Sequence, residues 1–267
     1  MPFAKKPQVF SAKINELTLG TGDKAVTLGG QNVFNLYAFD AAMPNSPKIG
    51  IDVSDDPEQP SEGLKEFYAG CGTLAQRAKK AADLPNVDFV CIRFDLADPN
   101  GANKSIEDCV ADAKAVAEAI DKPIVVAGCK NAEKDADLFA KVSEALQGKN
   151  ILVLSAKEEN YKGIAAGAGL AYGQKVGAES AVDINLAKQL NVLITQMGVG
   201  GQNIAMNIGS AAAGYGFEYV VSTLERVKAA ALSQNDATLQ MPIITPVGTE
   251  TWGVKESTAP ESENPGW

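Results

Sequence analysis

Asn203 to Glu225 reads NIAMNIGSAAAGYGFEYVVSTLE. An apolar run, Ile204 to Ile208, stops at Gly209; small and turn-prone residues follow, then Tyr215-Gly216 and an apolar-periodic segment. The pattern predicts strand, loop, helix. The loop carries almost no bulky side chains, so a large flat ligand or a partner can lie against its backbone.

The same unit recurs on both sides. Upstream, Val176–Val182 reads as a strand, with a helix from Asp183 to Met197. Ile151–Leu154 ends at Ser155-Ala156, and its helix starts near Asn160. Pro123–Ala127 ends at Gly128-Cys129, with a helix from Glu133 to Leu146 and Gly148 as its stop. Asp88–Phe94 runs into Asp95; Ser105 opens the next helix with Asp108 three residues on, close to a capping box. Lys48–Val53 is the first strand of the series, ending at Asp52-Val53-Ser54, with a helix over Gly63–Ala82. Downstream, a helix over Gly216–Leu232 leads to the strand Met241–Val247.

Seven strands alternating with six helices define an α/β protein, and the short apolar runs suit buried parallel strands. Consecutive units without a break favour a (β/α)8 TIM barrel over an open doubly wound sheet, and no G-x-G-x-x-G follows the first strand. Ahead of the series, residues 8–30 alternate around Gly20-Thr21-Gly22-Asp23, which predicts an N-terminal β-hairpin. Residues 31–46 are irregular. The division is therefore 1–46, hairpin and lead-in, and 47–267, barrel. After Val247 the tail GTETWGVKESTAPESENPGW is too polar and too rich in proline and glycine for a helix and an eighth strand. The expectation is a barrel truncated before that strand, with the C-terminus incomplete.

Composition narrows the function. Of 267 residues, 45% are hydrophobic and 21% charged, as in an ordinary soluble domain, and the net charge of −9 disfavours nucleic acid or an anionic membrane. No apolar run is long enough for a membrane span, and MPFAKKPQVF lacks a signal peptide's apolar core, so cytoplasm is the expected compartment. Cys71, Cys91, Cys109 and Cys129 lie about twenty residues apart, two on predicted helices and two in or after strands. That spacing reads as free thiols rather than a metal or cluster site. The chain has no histidine, which removes Ser-His-Asp triads, Cys-His dyads and histidine as a ligand to cobalt or haem.

The segments DFVCIRFDLADPNGAN, GCKNAEKD, KEENYKG, VDINLAKQLNVLI, AGYGFEYVVSTLERVKAAAL and MPIITPVGTETWGVKESTAPESENPGW together resemble the small subunit of the corrinoid iron–sulfur protein, the delta-type subunit of the acetyl-CoA decarbonylase/synthase system. The resemblance covers nearly the whole chain in the same order. It implies a TIM barrel paired with a large corrinoid iron–sulfur subunit that holds the [4Fe–4S] cluster. A cobamide (corrinoid) would sit between the two, facing the barrel. Its cobalt would carry a methyl group from a methyltetrahydrofolate-type donor to acetyl-CoA synthase in the reductive acetyl-CoA pathway. The implied partners therefore include methyltetrahydrofolate methyltransferase and acetyl-CoA synthase/CO dehydrogenase, and the subunit itself would not catalyse. One departure stands out. Relatives read roughly D-P-S-x-G-G-x-G-Y-G where this chain has Asn207-Ile208-Gly209-Ser210-Ala211-Ala212-Ala213-Gly214-Tyr215-Gly216, so a carboxylate has become an amide and two glycines alanines.

Barrel function lies at the C-terminal ends of the strands. The candidates there are Asp52, Asp95, Asn131, Ser155, Asn160, Asp183, Asn185, Asn207, Gly209, Tyr215, Gly216 and Thr245. Asp183 and Asn160 serve equally as helix N-caps, Asp95 as a turn brace, and Tyr215 as a packing residue. Asn207 and Thr245 end buried strands and need partners. Two other readings stay open. A stand-alone pterin-dependent methyltransferase would bind through Asp95, Asn131 and Asp183; a Schiff-base lyase would need Lys130 or Lys157.

Overall fold

The computed structural model describes residues 8–34, 41–58, 61–212, 214–260 and 262–263. The expectations for the N-terminal stretch 1–7, for part of the irregular lead-in (35–40) and for the closing Pro265-Gly266-Trp267 fall outside these.

The hairpin is β1 (Leu17–Leu19) paired antiparallel with β2 (Val26–Leu28). The main sheet has seven parallel strands in sequential order: β3 (Gly50–Ser54), β4 (Phe89–Arg93), β5 (Ile124–Ala127), β6 (Leu152–Ala156), β7 (Lys175–Glu179), β8 (Ile204–Asn207) and β9 (Ile243–Ile244). Sequential order rules out the strand reversal of a doubly wound sheet. The sheet curls: the chain after β9 returns to β3, where Gly248 abuts Asp52, and Arg93 Nη1 reaches Thr249 Oγ1 at 3.5 Å. Among the described residues no hydrogen-bond ladder joins β3 to β9, so the architecture is a parallel half-barrel.

Side-chain alternation sorts the strands into two cores. Val90, Ile92, Val126, Val153 and Met206 point outward to the helices. These are α1 (Glu62–Phe67), α2 (Leu74–Ala82), α3 (Ile106–Ala119), α4 (Ala132–Ala145), α5 (Tyr161–Ile164), α6 (Ile184–Gln196) and α7 (Phe217–Ser233). Inward, Phe89, Val125, Leu152, Leu154 and Ala205 form a smaller core with Leu17 and Leu19 of the hairpin. The hairpin thus plugs the N-terminal end of the sheet, tied by Gly20 N to Asn150 O (2.9 Å) and by Asn150 Nδ2 to Thr18 O (2.8 Å).

Helix starts follow local chemistry. Thr73 and Gln76 form a reciprocal capping box on α2, and Ser105, Asn131 and Asp183 each accept a backbone N–H of their helix.

Several expectations need correction. The single helix over Gly63–Ala82 is two, broken around Gly70 and Gly72, and Cys71 lies between them rather than on a helix. The fifth strand of the sheet stops at Glu179, because Ala181 and Val182 turn with φ of 46° and 66°. The seventh is only Ile243–Ile244. The tail, read as too polar for a helix, holds two short ones, α8 (Val247–Trp252) and α9 (Lys255–Thr258). Hydroxyl bonds inside the segment stabilise them: Thr251 Oγ1 donates to Val247 O (2.9 Å) and Ser257 Oγ to Thr251 O (2.6 Å). The four cysteines are free. No helix among the described residues is long and apolar enough to cross a membrane.

Candidate functional site

A cavity of about 550 Å³ opens at the C-terminal ends of the strands, a size that suits a small-molecule site. Its inner surface includes Cys91, Ala127, Leu154 and Ile244, and its walls are charged. It also runs out between the two outer strands, past Ile49 and Gly50 on one side and Leu224, Lys228, Pro242 and Ile243 on the other.

One wall is built on β3 and β4. Alternation puts Phe89, Cys91 and Arg93 on the concave face, so an arginine ends a buried strand inside the mouth. Arg93 Nη1 donates to Asp52 Oδ2 at 2.7 Å, and Nη2 to Asp95 Oδ2 at 2.5 Å. Ser54 Oγ also donates to Asp95, at 2.5 Å. Burial works against the guanidinium's charge, but Asp95 and Asp52 outweigh it and hold the group firmly protonated.

The facing wall comes from β6, β7 and β8. Lys157 Nζ lies 3.3 Å from Glu179 Oε1. Asn207, 3% exposed, donates from Nδ2 to Ser155 Oγ at 2.9 Å and to Glu179 Oε2 at 3.4 Å, while its Oδ1 accepts from Gly209 N at 3.0 Å. A register shift between Leu154 and Ala156 accompanies the placing of Ser155 at the cavity. Between the walls, buried Asp135 accepts from Cys129 N (2.8 Å) and Cys129 Sγ (3.2 Å). Burial raises the Asp135 carboxyl and pushes the Cys129 thiol up to about 11; burial also raises the Cys91 thiol. Both thiols are therefore protonated and poor nucleophiles at neutral pH.

Of the sequence candidates, the cavity brings together Asp52, Asp95, Ser155, Asn207, Gly209 and Thr245. Tyr215, 49% exposed, and Gly216, with φ of 100°, stand at the start of α7 on the small-residue loop. The remaining candidates do not line the cavity. Asn131 caps α4 by accepting from Lys134 N (3.0 Å), and exposed Asp183 caps α6 by accepting from Asn185 N (2.7 Å) and Leu186 N (3.2 Å). Asn185 is an exposed first-turn residue of α6. Asn160 is buried, yet its side chain does not cap α5; it accepts from Lys157 N (2.8 Å) and donates to Ala132 O (3.2 Å), fastening the loop after β6 to the start of α4. The pterin set is thus not assembled: Asp95 reaches the cavity while Asn131 and Asp183 stay at their helix caps. Of the two Schiff-base lysines, Lys157 is ion-paired to Glu179, and Lys130, 67% exposed, lies 3.7 Å from Glu250.

Sequence reading missed Arg93, Asp135, Glu179, Thr249 and Glu250 as cavity residues. A signal existed for Arg93 in the alternation of DFVCIRF. The charged groups of the two walls are mutually paired, so the arrangement suits binding and shielding better than proton transfer.

Residues 16–261 match the family described as CO dehydrogenase/acetyl-CoA synthase delta subunit. The chain is 32% identical over 253 residues to the acetyl-CoA decarbonylase/synthase complex subunit delta 2 of Methanosarcina acetivorans, covering 93% of this chain and 57% of that one. It is 30% identical to the subunit delta of Archaeoglobus fulgidus (96% and 58% covered) and 31% identical to that of Methanothermobacter thermautotrophicus (92% and 63% covered). The chain thus spans somewhat under two thirds of the length of these relatives.

Proposed function

Because this chain belongs to the CO dehydrogenase/acetyl-CoA synthase delta subunit family, we propose that it is a subunit of an acetyl-CoA decarbonylase/synthase-type complex and acts there as a scaffold for a corrinoid methyl carrier. In this reading the half-barrel is most of a (β/α)8 barrel, with an eighth strand lying in the gap between β3 and β9. Its mouth faces a cobamide held together with a large subunit, and that subunit carries the [4Fe–4S] cluster.

The observation that carries the reading is the rim beside the cavity. Gly209, Ser210, Ala211, Ala212, Gly214 and Gly216 form a loop without bulk, bounded by half-exposed Tyr215. Such a surface fits the flat periphery of a macrocycle. With no histidine in the chain, the usual protein ligand to cobalt would have to come from elsewhere. When bound, the cobamide supplies a cobalt that accepts and releases a methyl group. This chain's part is to position the ring and exclude water. Gly209, Tyr215, Gly216 and Thr245 meet it at the rim, and Ser155 and Asn207 hold the wall behind them. The paired charges of Arg93, Asp52 and Asp95 keep the opposite wall rigid. Methyltetrahydrofolate methyltransferase and acetyl-CoA synthase/CO dehydrogenase are the partners this role calls for.

The test is a visible spectrum of the chain purified alone and with a co-expressed large subunit after incubation with hydroxocobalamin. Corrinoid absorbance that co-elutes only with the heterodimer supports the proposal. Tight uptake by the isolated chain, or methyl transfer from methyltetrahydrofolate to free cobalamin by it, refutes the proposal.

A further inference from the structure

The segment after β9 crosses the cavity mouth and touches distant parts of the barrel. Gly248 sits against the first strand of the sheet, where an added Cβ would lie 2.8 Å from Asp52 Oδ1. Thr249 Oγ1 accepts from Arg93 at 3.5 Å, on the second strand. Glu250 reaches Lys130, after the third, at 3.7 Å. Glu256 in α9 hydrogen-bonds Tyr215, on the rim loop after the sixth. Pro246, Val247, Gly248, Thr249 and Glu250 all line the cavity, so they form part of its roof.

Among the described residues, the hydrogen bonds within the segment are shorter than the contacts that Thr249 and Glu250 make with the half-barrel. Internal bonds from Thr251 and Ser257 measure 2.6 to 2.9 Å. By contrast, the Thr249 contact is at the limit of a hydrogen bond, and the Lys130 and Glu250 side chains are 67% and 41% exposed, a class of pair that contributes little. Helices of six and four residues without side-chain N-caps hold little stability of their own. Val247, 46% exposed, adds little apolar anchorage.

We propose that Pro246–Thr258 is a lid that pivots at Thr245-Pro246 and gates the cavity mouth at the C-terminal ends of the strands. What enters rests on the cobamide reading above; the motion does not. Opening breaks the contacts with Asp52, Arg93, Lys130 and Tyr215 together, and leaves the internal stitching intact.

Hydrogen–deuterium exchange on the chain alone tests the motion. Amides of 247–258 are expected to exchange several-fold faster in the variants Gly248→Val and Glu250→Ala/Glu256→Ala than in the parent, with β4 to β8 unchanged. Two variants are used because Gly248→Val alone could disturb the first strand. Exchange in the parent as slow as in β6 and unmoved by either variant would overturn the lid. In the heterodimer with hydroxocobalamin, lid variants are expected to take up the corrinoid several-fold faster, and 247–258 to change its exchange on loading. Normal uptake at parental rate with unchanged exchange overturns the gating role and leaves the scaffold reading standing. Faster lid exchange together with no corrinoid uptake by any heterodimer supports the lid and refutes that reading.

Discussion

Replacing Asn207 by aspartate tests the electrostatics of the inner wall. The side chain is 3% exposed, and its Nδ2 lies 2.9 Å from Ser155 Oγ and 3.4 Å from Glu179 Oε2. Asn207→Asp keeps the acceptor for Gly209 N, and the Ser155 hydroxyl can turn to donate. What remains is a second carboxylate beside Glu179. Two unit charges 3.4 Å apart repel by about 5 kcal/mol at an effective dielectric constant of ~20. Lys157, 3.3 Å from Glu179, offsets part of this. Proton uptake sets a ceiling: neutralising a carboxyl of ordinary pKa ~3.9 at pH 7 costs about 4 kcal/mol. The expected loss at pH 7 is therefore about 2–4 kcal/mol. The sign with pH follows. The introduced carboxyl has its folded pKa raised, so its contribution is fully present below ~3.9 and lost as pH rises through the raised value. The gap between variant and parent should be small near pH 4 and full by neutral pH. Urea unfolding followed by circular dichroism at several pH values measures it. A variant within about 0.5 kcal/mol of the parent at pH 7, with no pH dependence in the difference, would refute this account of the wall.

Three further outcomes are expected. Gly50→Ala puts a Cβ 2.1 Å from the Phe89 ring and should cost about 1–3 kcal/mol in urea unfolding; a cost below about 0.5 kcal/mol would show that the ring is not held there. Burial pushes Lys228 down to about 8, so its favourable share of stability is present above the unfolded value of 10.5 and lost as pH falls through about 8. Lys228→Met should therefore raise stability at pH 7 by up to about 3 kcal/mol, an advantage that shrinks between pH 8 and 10. Asn131→Ala and Asp183→Ala should each lose about 1 kcal/mol of stability, as lost caps do, and leave corrinoid uptake by the heterodimer unchanged. A loss of uptake without a loss of stability would return both residues to the site.

The sequence carried the fold's periodicity clearly. Short apolar runs every unit, most followed by a helix with a side-chain cap, identified the strands of the sheet to within a few residues and the hairpin by its turn at Gly20–Asp23. It blurred where backbone conformation decides. Val176–Val182 looks continuous, but Ala181 and Val182 adopt positive φ and end the strand at Glu179. The tail misled because its helices depend on hydroxyls bonding to carbonyls within one short segment, a pairing that apolar periodicity does not report. The site was legible at Ser155, Asn207, Gly209 and Thr245, since polar and small residues ending apolar strands stand out. Asn131 and Asp183 stand out for the same reason, but their carbonyl and carboxylate oxygens satisfy helix N-termini instead. Asp135 was hidden in the first turn of α4, where an acid reads as a dipole partner although it reaches back to Cys129, and Glu179 lay inside a run read as continuous strand.

The hairpin at the far end of the sheet gives the cavity its plumbing. Leu17 and Leu19, fully buried against Phe89 and Leu152, stopper the interior from below. The chamber is closed on the hairpin side, and its openings lie at the mouth beneath Pro246–Glu250 and along the gap between β3 and β9. An occupant therefore has two ways out, one past the start of α8 and one past Gly50 and Lys228 along the unpaired strand edges, and only the hairpin end is shut to it.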